Sequence, residues 1–270
     1  ETLARGENWK FDFIVKGSAK NPDGSSRELF SLTKNFSIDS QFGYEMGPEI
    51  DLGLEDGGMP AVASGELNGD EMLDLALASG RFRSGLLREY IQRKNSPLPA
   101  PTILAKDARF SAIHVGDVDG NNSHDLVAAD WQRGTLRLFY QEGGELVRGD
   151  EISIGAGPIA LTAADLDGDK KAEVAVLLST GGALAVTSIS NERKFDSVKS
   201  VQIPSGGKRS FIFPWKSAQA GPGFLAVLPL ADAPLQFVPW NKGEMVKDSS
   251  GIISTRVEDG ALITAAAALG

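Results

Sequence analysis

The chain has 270 residues, a net charge of −9, 41% hydrophobic residues, 31 glycines and no cysteine. That length can bury a large core, the acidic balance disfavours a nucleic-acid partner, and the lack of cysteine leaves metal as the available covalent-like staple. No apolar run is long enough to span a membrane, and neither a phosphate-binding glycine loop nor a dinucleotide fingerprint occurs.

In chain order, residues 11–16 and 28–38 read as the later strands of a partial blade covering 1–58. Three units then share one order of elements, at 59–107, 108–156 and 157–205. Each has an entering strand (61–65, 111–116, 159–164), a nine-residue acidic loop, and a leaving strand that begins with a continuous apolar run at Leu75, Leu126 or Val174. Such runs suit strands covered on both faces. A third strand (86–92, 135–141, 183–189) and a fourth (102–105, 151–154, 198–203) complete each unit. Residues 206–258 repeat the strand order, but 216–223 hold no carboxylate, so this is a degenerate blade without a loop site. The final stretch, 259–270, lines up with the start of a further blade, Ala267 falling two periods after Asp165.

The loops are Glu66-Leu-Asn68-Gly-Asp70-Glu-Met72-Leu-Asp74, Asp117-Val-Asp119-Gly-Asn121-Asn-Ser123-His-Asp125 and Asp165-Leu-Asp167-Gly-Asp169-Lys-Lys171-Ala-Glu173. Oxygen-bearing side chains recur at positions 1, 3, 5 and 9. In extended backbone, positions 1, 3 and 5 face one way while the apolar position 2 faces the core. Glycine at position 4 permits the tight turn that returns position 9 to the same point. The position-7 residues Met72, Ser123 and Lys171 have unrelated side chains and would contribute backbone carbonyls. A hard cation that takes several oxygen ligands fits this set, and Ca2+ is the expected ion, at three structural sites. Position 12 is Leu77, Ala128 or Val176, which excludes an EF-hand loop with its closing acid. The threefold recurrence argues against ordinary acidic turns.

Loop starts at 66, 117 and 165 are 51 and 48 residues apart, a propeller-blade period. Four antiparallel strands per period predict an all-β fold, a β-propeller of about five four-stranded blades or a piece of a larger one. The units 59–70 and 112–121 resemble FG-GAP repeats, also called VCBS repeats, the blades of integrin α-chain propellers and of many secreted bacterial proteins. The resemblance implies calcium at the odd loop positions and roles in adhesion or ligand binding. Glu66 in place of Asp, Glu173 in place of Asp, and Glu71, Asn122 and Lys170 where the family often has glycine are departures from its pattern.

The resulting expectation is a calcium-stabilised, non-catalytic module outside the cytoplasm, whether extracellular, periplasmic or at the cell surface, with a protein or carbohydrate partner. Its alternative is part of a secreted polysaccharide-processing enzyme. Candidate catalysts are few: His114 and His124 read as packed or solvated residues. Trp9, Trp131, Trp215 and Trp240 do not share a repeat position and read as packing residues. Arg148-Gly149-Asp150 spells the tripeptide that integrins recognise, placed between a third and a fourth strand, and chance accounts for it. Arg81, Arg83, Arg88, Arg93 and Lys94 read as a solvated face.

Overall fold

The computed structural model describes residues 8–20, 23, 25–39, 61–79, 85–94, 99–203, 211–217, 221–227, 235–241, 244–245 and 252–255. Two compact units result, Glu1–Gly53 and Leu54–Gly270. In the first, β1 (Asn8–Lys20) and β2 (Ser26–Asp39) pair antiparallel from Asn8↔Asp39 to Lys20↔Ser26. The two strands expected near this end are therefore present as parts of one longer hairpin, and no third strand joins it among the described residues.

The second unit is a succession of antiparallel sheets. Blade one contains β3 (Ala61–Gly65), β4 (Asp74–Ser79), β5 (Gly85–Tyr90) and β6 (Thr102–Ala108). Blade two contains β7 (Phe110–Gly116), β8 (Asp125–Asp130), β9 (Thr135–Glu142) and β10 (Glu145–Ser153). Blade three contains β11 (Pro158–Ala164), β12 (Glu173–Leu178), β13 (Ala183–Ser188) and β14 (Lys199–Gln202). Blade four contains β15 (Phe211–Ser217), β16 (Gly221–Val227) and β17 (Leu235–Asn241), with β18 (Glu244–Met245) and β19 (Ile253–Thr255) pairing to its two ends. Strand order in every sheet follows the chain, and the first strands pack in sequence, β3 on β7, β7 on β11 and β11 on β15. This is the blade arrangement of a β-propeller.

Side-chain alternation explains how one strand serves two interfaces. Leu126 and Ala128 of β8 face blade one, joining Leu67, Ala76 and Leu87. Val127 and Ala129 face blade three, joining Val174, Val176 and Ala185. All six residues of β8, and all six of β12, are buried, so the apolar runs are continuous rather than alternating. Ala175, Leu177, Leu184 and Val186 then pack on Ile212, Phe224, Val238 and Trp240 of blade four.

Two boundaries differ from the sequence expectation. Strand β10 begins at Glu145, six residues before the expected fourth strand, because Gly143 and Gly144 have φ of 60° and 89° and close a two-residue hairpin. Arg148-Gly149-Asp150 thus sits inside β10, at a register shift between Arg148 and Glu151, and not between strands. In blade four only residues 218–220 separate β15 from β16, too few for the nine-residue loop of the other blades. The further blade expected at 259–270 lies outside the described residues. No helix among the described residues is long and apolar enough to cross a membrane.

Candidate metal centre

The three loops share one hydrogen-bond scheme. At position 1, Asp117 Oδ1 accepts from the N–H groups of Gly120 and Asn121 at 2.8 and 3.1 Å, and Oδ2 from Asn122 at 2.9 Å. Asp165 likewise accepts from Gly168 at 2.6 Å and Lys170 at 3.0 Å. Glu66, one methylene longer, gathers the N–H groups of Asn68, Gly69 and Asp70 on a single oxygen, Oε1. At position 3, Asn68, Asp119 and Asp167 accept from the position-5 N–H at 3.1, 3.2 and 3.2 Å. At position 5, Asp70, Asn121 and Asp169 accept from the N–H of Met72, Ser123 and Lys171 at 2.9, 2.6 and 2.8 Å. Each short side chain is held by the turn it creates.

Position 9 is the anchor. Asp74, Asp125 and Glu173 are the first residues of β4, β8 and β12, and all three are buried. Each accepts from the N–H at position 2: Leu67 at 2.8 Å, Val118 at 3.3 Å and Leu166 at 2.8 Å. Asp74 and Asp125 also accept from the N–H of Gln92 and Gln141, at 2.8 and 3.0 Å, beyond the third strand's loop-side pairing. Burial pushes the carboxyls of Asp125 and Glu173 up to about 7, opposed by the N–H bonds and reinforced by neighbouring loop carboxylates. Asp74 is raised for the same leading reason. Glu173 stands among loop carboxylates with no cation opposing its shift, and Asp125 has only the Arg193 guanidinium against it, so a bound cation would supply the counter-charge both are short of.

Carboxylate oxygens of Asp117, Asp119 and Asp125 lie within 4.8 Å of one another, as do those of Asp165, Asp167 and Glu173. This all-oxygen donor set fits a hard divalent cation, which these residues would hold with Asn121 and Asp169 from the same loops. Among the described residues no such group of three acids forms at the first loop. There position 3 is the amide of Asn68, whose Nδ2 donates to Asp70 Oδ2 at 3.0 Å.

The backbone accounts for two loop positions. Gly69, Gly120 and Gly168 have φ of 84°, 82° and 86°, and a Cβ on Gly120 would stand 2.6 Å from the Lys170 carbonyl oxygen of the next loop. Glu71, Asn122 and Lys170, where the family often has glycine, have φ of 67°, 67° and 71°, the left-handed region that costs a side chain energy. Neighbouring loops also touch. Ala172 N–H donates to the Val118 carbonyl at 3.0 Å, and Glu66 N–H donates to His124 Nδ1 at 3.0 Å.

Arg193, between β13 and β14, is a neighbour of the second loop that the loop pattern does not reveal. Its Nε lies 2.7 Å from Asp119 Oδ2, an ion pair whose N–H is not aligned as a hydrogen bond, and Nη1 reaches Glu142. The guanidinium lies 4.0 Å from the centroid of the Tyr140 ring, and Tyr140 Oη donates to the Arg193 carbonyl at 2.7 Å. A tethered cation therefore stands at the second cluster. Nothing in the sequence near Asp119 signals it, since it arrives from the following blade.

The remaining sequence candidates are placed as follows. His114 is held neutral by burial and by His124, its pKa lowered to about 4. His124 accepts from Glu66. Asp150 of the integrin-type tripeptide accepts from Phe195 N–H at 3.1 Å, and Arg148 pairs with Glu151 at 3.0 Å. Trp240 is buried in blade four, whereas Trp215 is 43% exposed and is not a packing residue there; the side chain of Trp9 lies outside the described residues.

Residues 117–176 match the family model described as FG-GAP-like repeat. No curated protein matches the chain. Among solved structures, a Lactobacillus plantarum protein aligns at 11% identity and a TM-score of 0.47 over 72% of this chain, which spans about half (55%) of that protein. A candidate 6-phosphogluconolactonase from Bacteroides uniformis aligns at 11% identity and 0.47 over 90% of this chain and 79% of its own. The matched segment, 117–176, carries the second and third acidic loops at its two ends and supports the FG-GAP repeat family.

Proposed function

We propose that this chain is a calcium-stabilised propeller acting as a non-catalytic binding module outside the cytoplasm. The observation that carries the reading is the convergence of Asp117, Asp119 and Asp125, and of Asp165, Asp167 and Glu173, around a buried acid that needs a counter-charge. A cation held there would tie the start of β8 or β12 to the loop preceding it and, through the loop-to-loop contacts, brace one blade against the next. Its role is structural: the oxygens that would hold it also cap their own turns. The first loop keeps the same turn with fewer converging acids, so its contribution is the smallest of the three.

Cellular setting follows from affinity. Extracellular calcium modules bind at about 0.1–1 mM, so near-millimolar calcium contributes roughly 0.4–1.4 kcal/mol per site, and submicromolar calcium contributes almost nothing. Such loops are useful where calcium is abundant. The partner is a protein or a carbohydrate, recognised by the surface the loops make rigid. Calorimetric titration with CaCl2, alongside melting in calcium and in chelator, tests the reading. Saturable binding and a higher Tm in calcium are expected; an identical Tm in both conditions overturns it.

A further inference from the structure

Strand β5 carries an acid where the repeat calls for a core residue. Sheet register pairs Ala76 with Glu89, Val127 with Leu138 and Ala175 with Val186, so these three third-strand residues are equivalent. Leu138 and Val186 are fully buried apolar residues, yet Glu89 at the same place is only 7% exposed. The flanking residues match as well, Leu87-Arg88-Glu89-Tyr90 against Leu136-Arg137-Leu138-Phe139. The Thr102 hydroxyl hydrogen-bonds the Glu89 carboxyl, while Oε2, shielded from solvent, has no hydrogen-bond partner among the described residues. A buried carboxylate oxygen left without a donor opposes folding, so its place is not explained by stability.

Glu89 lines a cavity of about 680 Å3 between blades one and two, a volume within the range of small-molecule sites. Around it stand Asp70, Glu145, Arg93 and Arg148, with exposed Ile103 as an apolar wall. Carboxylates, which accept, and guanidinium groups, which only donate, face the same space. A ligand of either charge would meet repulsion from one set, whereas hydroxyl groups donate to the first and accept from the second. We propose that this cavity binds a neutral, hydroxyl-rich ligand, a short saccharide, with a ligand hydroxyl satisfying Glu89 Oε2. This site rests on the binding-module reading above and gives it a ligand class.

The test is titration calorimetry of the full chain in millimolar calcium against glucose, maltotriose, cellotriose and N,N′-diacetylchitobiose. Wild type, Glu89→Leu and Glu89→Gln are compared, and each variant is melted with and without chelator. At least one saccharide binds wild type, Glu89→Leu loses tenfold or more in affinity, and Glu89→Leu melts higher because leucine occupies this place in blade two. Glu89→Gln, which keeps a polar group, loses less. The proposal is overturned if wild type binds none of the saccharides, if Glu89→Leu binds as well as wild type, or if Glu89→Leu melts lower with binding unchanged. The chelator-dependent change in Tm reports the calcium reading separately, so failure of one is distinguishable from failure of the other.

Discussion

Replacing Asp167 by asparagine separates the metal role of the third loop from its turn role. The position-3 side chain accepts one bond from the Asp169 N–H at 3.2 Å, and an asparagine oxygen can accept it, as Asn68 does at 3.1 Å in the first loop. The turn should survive while one of four carboxylates, with Asp165, Asp169 and Glu173, is lost. In chelator, removing a charge within 4.8 Å of its neighbours relieves repulsion, worth about 1 kcal/mol for each ionised neighbour at the dielectric of water. Wild type and variant should therefore melt together, or the variant higher. In 1 mM calcium, a site of about 0.1 mM affinity contributes roughly 1.4 kcal/mol, and weakening it about tenfold leaves roughly 0.4. The difference of about 1 kcal/mol corresponds to a Tm lower by about 2–4 °C for a domain of this size. Differential scanning calorimetry in both conditions is the assay. A variant that loses as much in chelator as in calcium would refute the reasoning, because the carboxylate would then be acting through the fold alone.

Three further outcomes follow from the same geometry. Arg193→Ala removes the tethered cation from Asp119; the second site should bind calcium more tightly by calorimetry while the cation-free protein melts lower, and unchanged affinity would show that the arginine does not compete. Asp125 and Glu173 have carboxyls raised to about 7, so the cation-free fold holds protons that the unfolded chain has released; the stability these two groups contribute is full below about pH 4 and is lost as pH rises through 7. Calcium reverses that preference, so the calcium-induced gain in Tm should grow between about pH 5 and 7.5, and a flat gain over this range would contradict the assignment. Lys170→Gly relieves a φ of 71°. The left-handed strain of about 1–2 kcal/mol outweighs the glycine entropy cost of about 0.5–1 kcal/mol, so Tm should rise by a degree or more with the calcium response kept; a lower Tm would mean that the lysine side chain contributes more than the strain costs.

What could be read from the sequence was what repeats locally. The loop positions, the apolar residue at position 2, the buried leaving strand and the blade period each depend on residues within about one turn or strand, whose alternation is set by backbone geometry. Hence Asp117, Asp119 and Asp125, and Asp165, Asp167 and Glu173, could be grouped before any fold was known, and the structure brings each group together. The Gly143–Gly144 hairpin was also written in the chain as a turn signal, but the longer β10 it starts was missed because the bulge within it hides the strand alternation. Tertiary structure alone decided which groups from different blades share a space. Arg193 reaches Asp119 from the next repeat, and Glu89 faces the interface where blade one meets blade two, lining a cavity with Arg148. Neither partnership has a local pattern, because the contact is made by packing between sheets and not by the spacing of residues along one strand.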